Sequence, residues 1–122
     1  MAFSDPQSLT VDGTAVSLSR VYNPSTLGTF TSSETDFKLE VGPQNVRNAR
    51  TRRSVALTNV KITADPLVSA TNVRVSDTVR LVIDRPVSGY SDVEVEKQVL
   101  GLVAWLTANT NLNLKKLVAG EN

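Results

Sequence analysis

The segment from Asn72 to Asp84, NVRVSDTVRLVID, alternates so regularly that it dictates the kind of surface the chain must build. Val73, Val75, Val79, Leu81 and Ile83 fall on one face of an extended strand, and Arg74, Ser76, Thr78 and Arg80 fall on the other. A sheet made of such strands has one dry face that needs apolar cover. Its other face carries guanidinium and hydroxyl donors along an extended surface, and donors of that kind suit phosphates and bases.

The pattern recurs upstream. Asp36 to Val41 sets Phe37, Leu39 and Val41 against Lys38 and Glu40, which predicts another two-faced strand. Thr51 to Thr63 reads as a long strand in which Val55 and Leu57 share one parity while Val60 and Ile62 take the other. A bulge near Thr58-Asn59 would restore a single apolar face. With that slip, Arg52, Ser54, Ala56 and Thr58, then Asn59, Lys61 and Thr63, point to the polar side. Before these, Ser8 to Val11 and Thr14 to Tyr22 flank Asp12-Gly13, a pair suited to the positive φ values of a primed hairpin turn. Asn23 to Gly28 is loop by its Pro and Gly, with a short strand at Thr29 to Ser33. Gly42-Pro43 starts a turn, Asp65 to Thr71 is a connecting loop, and Asp84 to Gly89 ends the β region.

The rest of the chain is helical. Ser91 and Glu94 form a capping box, and Asp92 and Glu96 place negative charge in the first turn, where the helix dipole favours it. Val95, Val99, Leu102 and Leu106 make an apolar stripe that Val103 widens. The Asn109-Thr110-Asn111 cluster interrupts the helix at Thr107 or Asn109. Leu112 to Ala119, closed by Gly120, is a second, shorter helix. Strands followed by helices define an α+β chain. At 122 residues a single domain is expected: hairpin and loop over 1–28, antiparallel sheet over 29–86, two helices over 91–120. Leu100 and Trp105 make the first helix apolar beyond a narrow stripe. That suits cover of its own sheet or of a second subunit's.

Neither Cys nor His occurs, which removes the disulfide, the thiolate, the commonest general base and the commonest metal ligand together. Asp65, Asp77, Asp84 and the glutamates fall at no spacing that suggests a paired acid and base. The reading is therefore non-enzymatic, with no cofactor and no metal. No apolar run approaches the roughly 20 residues of a membrane helix, and MAFSDPQS lacks the layout of a signal peptide. The net charge of +1 conceals an asymmetry: residues 1–46 carry two basic and five acidic groups, residues 47–86 eight and three, and residues 87–122 three and four. A run such as Arg47, Arg50, Arg52 and Arg53 is ordinarily a solvated face. Here the basic residues also lie on the polar sides of predicted strands.

In its whole order of elements the chain resembles the coat proteins of small single-stranded RNA bacteriophages. The resemblance runs from MAFSDPQSLTVDGTAV through FKLEVGP, RNARTRRSVALTNVKIT and VRVSDTVRLVIDRP to SDVEVEKQVLGLVAWLTANTNLNLKKLVAGEN. It implies an N-terminal hairpin, a five-stranded antiparallel sheet and two C-terminal helices, with two chains interlocked so that each chain's helices cover the partner's sheet. Val95, Val99, Leu102, Val103 and Leu106 would then form the dimer interface. The resemblance further implies a T=3 icosahedral shell, the virion as location and the host cytoplasm as the place of assembly. Single-stranded RNA would lie on the inner sheet face, where one RNA hairpin serves translational repression, and a maturation protein would be a further partner. Carried over residue by residue, the RNA face comprises Lys38, Glu40, Arg52, Ser54, Thr58, Arg74, Ser76, Thr78 and Arg80, joined by Asn59 and Lys61 through the bulge. The Asp65 to Thr71 loop matches the one that clusters at symmetry axes.

An alternative on the same residues is a cellular single-stranded nucleic-acid binding module. Such modules place aromatic stacking platforms on the sheet, whereas Phe30, Phe37, Trp105, Tyr22 and Tyr90 are assigned elsewhere. A third reading is an interaction domain whose arginines only solvate a face.

Overall fold

The computed structural model describes residues 3–21, 28–32, 36–42 and 45–121, and of 45 and 46 the backbone alone. Tyr22, most of the Asn23 to Gly28 loop, Ser33 and Pro43 lie outside the described residues. The chain divides into two compact units, Met1–Arg85 and Pro86–Asn122.

The first unit is an antiparallel sheet. Its strands are β1 (Gln7–Val11), β2 (Thr14–Val21), β3 (Gly28–Thr31), β4 (Phe37–Val41), β5 (Asn45–Arg47), β6 (Arg50–Ala64) and β7 (Asn72–Pro86). Asp12 and Gly13 turn β1 into β2 with φ of 52° and 74°, the left-handed pair that the Asp-Gly signal predicts. β2 then passes from β1 to β3: Val11 to Gln7 pair with Thr14 to Leu18, and Ser19 to Val21 pair with Thr31 to Thr29. β3 pairs with β4, and β4 with β6.

β5 is a strand that sequence reasoning left out. It pairs with the start of β6 through Asn45–Arg52, Val46–Thr51 and Arg47–Arg50. The intervening Asn48 and Ala49 both take positive φ, 51° and 58°. From Val41 to Asn45 the chain advances four residues while the partners move only three, from Val55 to Arg52. β4 and β5 thus pair with successive stretches of β6, 55–59 and 50–52. β7 pairs with β6 along the other edge.

The apolar core of this unit is small. Among the described residues only Leu18 and Phe30 are fully buried hydrophobics, with Thr29, Ser32 and Thr51 also buried. Arg20 seals the pocket: its guanidinium lies 4.8 Å from the Phe30 ring centroid and donates from Nη2 to the Phe3 carbonyl at 2.8 Å.

The second unit is α1 (Asp92–Val118), preceded by the cap Ser91. Ser91 Oγ accepts from the Glu94 N–H at 3.3 Å, and Glu94 Oε2 accepts from the Ser91 N–H at 2.8 Å. That is the reciprocal box expected from sequence. Ala108 to Asn111 leave helical φ/ψ, with Asn109, Thr110 and Asn111 left-handed, so α1 consists of two helical segments about a kink. Asparagine tolerates that region better than most residues. Across the kink Asn113 Nδ2 donates to the Trp105 carbonyl at 2.9 Å, satisfying an acceptor the break would orphan. The second segment ends with Gly120 at φ 82°, its N–H on Leu117 O and that of Glu121 on Lys116 O. This pair of bonds is a Schellman closure.

Candidate nucleic-acid interface

Residues directly opposed in an antiparallel ladder share a face. Leu39 opposes both Phe30 and Leu57, and Val41 opposes Val55, which defines the apolar face. Lys38 opposes Thr58 and Glu40 opposes Ala56, which defines the polar one. Thr58 Oγ1 and Thr78 Oγ1 are hydrogen-bonded at 3.2 Å, so β7 joins that polar face with Thr78, and by alternation with Arg74, Ser76 and Arg80. Arg52 and Ser54 reach it along β6. Ser54 Oγ also donates to the Gly42 carbonyl at 3.3 Å.

The predicted bulge at Thr58-Asn59 is absent, and this corrects two positions. The β4–β6 register runs unbroken from Val41–Val55 to Phe37–Asn59, and the Val60 N–H continues it to the Asp36 carbonyl at 2.8 Å. Asn59 therefore sits on the face of Phe37 and Leu57. Lys61 follows by alternation, and both border one hollow with Val75 and Asp77. Val60 and Ile62 are left on the polar side, Ile62 at 72% exposure. The ladder hydrogen bonds of two flanking strands hold the register more firmly than fuller burial of Val60 and Ile62 could shift it.

At one end of the polar face, beside the expected Arg52, lie Arg47 and Arg50, which the sequence marks only as part of a basic run, and Asp84, to which it gives no role on that face. Asp84 accepts from Arg50 Nε at 3.0 Å and from Arg52 Nη2 at 3.2 Å. The Arg50 hydrogen bond first, then that of Arg52, holds the Asp84 carboxyl below its ordinary value. Arg47 opposes Arg50 and so shares its face. Arg50 has the same parity as Arg52, and that was the available signal. The turn at Asn48-Ala49 that presents Arg47 beside them had none beyond a lone Asn. The face thus collects Lys38, Arg47, Arg50, Arg52, Arg74 and Arg80 against Glu40 and Asp84, six positive groups to two negative. Lys38 and Glu40 are paired at 2.7 Å.

In α1, Val95, Val99 and Leu106 are half-buried, while Leu102 and Val103 are exposed. On β7 the apolar face exposes Val73, Val75 and Val79. Among the described residues no group of acidic side chains could hold a metal, and no helix is long and apolar enough to cross a membrane.

No family model matches the sequence, and no curated protein does. Solved structures do match. The chain superposes on the virus-like particle protein of bacteriophage AVE019 with a TM-score of 0.78 at 16% identity, covering 98% of this chain and 97% of that one. The virus-like particle protein of bacteriophage NT-214 gives 0.71 at 11% identity, covering 98% and 97%. The capsid protein of bacteriophage GA gives 0.64 at 12%, covering 97% and 95%. The fold is that of a bacteriophage coat protein. The particle protein of Beihai levi-like virus 21 shares the fold as well, at a TM-score of 0.61 and 14% identity, covering 96% of this chain and 94% of that one.

Proposed function

We propose that this chain is a structural, non-enzymatic capsid protein that dimerises, assembles into an icosahedral shell and packages single-stranded RNA against the polar face of its sheet. The observation that carries the reading is the end-to-end match to particle-forming proteins, 98% of the chain at a TM-score of 0.78.

Two features of the chain support it. β7 has fifteen residues and pairs with β6 but with no other strand among the described residues, so its outer edge presents unpaired backbone groups. A long open edge is a template for pairing. A second copy's β7 would continue the sheet, and each copy's stripe of Val95, Val99, Leu102, Val103 and Leu106 would cover the other's apolar face. The excess of positive charge on the polar face then meets phosphate, which requires no sequence recognition. Lys38, Glu40, Arg52, Ser54, Thr58, Arg74, Ser76, Thr78 and Arg80 are the contacts proposed for RNA. Translational repression through one hairpin, contact with a maturation protein and T=3 symmetry belong to the same proposal, as does assembly in the host cytoplasm.

The reading as a single-stranded nucleic-acid module fares worse on one observation. On the sheet, Phe30 and Phe37 lie on the face opposite Arg52, Arg74 and Arg80, where they cannot stack with bases held there. Expression of the protein alone decides between them. Uniform particles by electron microscopy, with the ultraviolet spectrum of a ribonucleoprotein, are expected. A folded, stable monomer would sink the capsid reading.

A further inference from the structure

The corner where the β5–β6 turn meets the last residues of β7 holds more positive charge than its single carboxylate can match. Arg47, Asn48, Arg50 and Arg52 line a shallow pocket of about 330 Å³ with Asp84. Arg47 and Arg50 are direct cross-strand partners, an arrangement in which like charges repel. Asp84 takes one bond on each carboxylate oxygen, from Arg50 Nε and Arg52 Nη2, and its carbonyl takes Arg50 Nη2 at 3.5 Å. Each guanidinium has five N–H donors, so most of those in the corner remain for another acceptor. The three guanidiniums and one carboxylate leave a net charge of +2. The ion pairs are solvent-accessible, with side-chain exposures of 53% and 63% for the arginines and 35% for Asp84. Pairs of that kind are held weakly. A phosphate diester presents two oxygens in the same bidentate geometry as a carboxylate.

We propose that this corner is a masked phosphate site: Asp84 holds the Arg50 and Arg52 guanidiniums in place when no RNA is bound, and a backbone phosphate of RNA displaces it. The proposal rests on the RNA-packaging reading and adds its regulation. Because displacement of Asp84 costs affinity, an isolated phosphate competes poorly. A strand already held along the sheet by Arg74 and Arg80 supplies the corner with a phosphate at high effective concentration. The corner therefore closes last, on a strand laid along the whole face.

The test is binding of a short labelled RNA to the full-length protein and to Asp84→Asn. The variant is expected to bind roughly 3- to 10-fold tighter, the weight of two exposed ion pairs. The gain should vanish when Arg50→Gln and Arg52→Gln are added. Glu40→Gln, which removes a carboxylate elsewhere on the face, should give a smaller gain that survives those two changes. Asp84→Ser supplies a second variant without the charge and should behave as Asp84→Asn does. If Asp84→Asn and Asp84→Ser bind RNA as the parent does, while Arg74→Gln weakens it, the masked site is wrong and the RNA reading stands. If the parent binds no RNA, and Asp84→Asn binds inorganic pyrophosphate through Arg50, the corner is a site for free anions. That outcome overturns the proposal together with the RNA reading.

Discussion

The β2–β3 region and the β6–β7 ribbon draw on similar residues and use them in opposite ways. Leu18 and Phe30 are closed off completely, with Arg20 laid over the Phe30 ring and its N–H tied to Asp5 Oδ1 at 2.9 Å. Along the ribbon, Val79 is 68% and Ile62 72% exposed, although both lie within fifteen-residue strands. Strand pairing alone does not bury a face. Closure near Phe30 comes from chain folded back on itself, whereas the ribbon is an extended surface whose cover has to come from elsewhere. The contrast separates residues that hold this chain's own fold from those proposed to serve assembly.

The largest expected effect falls on the closed region. Phe30→Ala should cost about 3–5 kcal/mol, because the void is lined by strands that cannot collapse into it. A denaturant midpoint unchanged from the parent would show that the small core is not what holds the sheet. Next comes the helix stripe. If Leu102, half exposed in the single chain, is covered by a second copy, Leu102→Ala should cost about 2 kcal/mol. The melting temperature should also rise with protein concentration, since an obligate dimer has no stable folded monomer. A melting temperature independent of concentration breaks the comparison at its second term.

Ala49 offers a smaller change, of opposite sign. Its φ of 58° puts a Cβ in the left-handed region, at a cost of about 1–2 kcal/mol. Glycine removes that cost and adds back roughly 0.4–1 kcal/mol of unfolded-state entropy. Ala49→Gly should therefore stabilise by about 0.5–1 kcal/mol, read as a higher denaturant midpoint at unchanged slope. A lower midpoint would mean that the β5–β6 turn is held by something other than its local backbone preference.

Local signals were legible wherever a short stretch decides its own geometry. Asp12-Gly13, the Ser91–Glu94 box, the Asn109 to Asn111 break and the Gly120 closure each depend on a few neighbouring residues, and each was readable from them. The two faces of β4 and β7 followed from period-two alternation. Two things were not legible in this way. Val60 and Ile62 suggested a bulge only on the premise that every apolar side chain seeks the same face, whereas the ladder kept register and left Ile62 exposed. The Arg47–Arg50–Arg52–Asp84 corner depends on β5 pairing with the start of β6 and on β7 returning thirty-odd residues later, an arrangement that no local pattern encodes. Of the candidate RNA face, nine of the eleven named positions lie on the polar side; Asn59 and Lys61 were misplaced by the expected bulge.

The smallest expected effect on stability, and the sharpest test of the ribbon, is charge reversal on its polar side. Arg74 and Arg80 are exposed on β7, and surface substitutions away from special features usually fall within about 0.5 kcal/mol. Arg74→Glu combined with Arg80→Glu should leave the denaturant midpoint within that range. The same pair turns two positive groups into two negative ones on the face proposed to meet RNA. The RNA recovered with the protein should drop, and the affinity for a short RNA should fall less steeply with salt, by about 0.7 in the log–log slope for each phosphate no longer neutralised. Loss of folding would place these arginines among the residues that hold the chain together. Unchanged RNA content with folding intact would mean that RNA meets some other surface, and the polar side of the ribbon would then be only solvated.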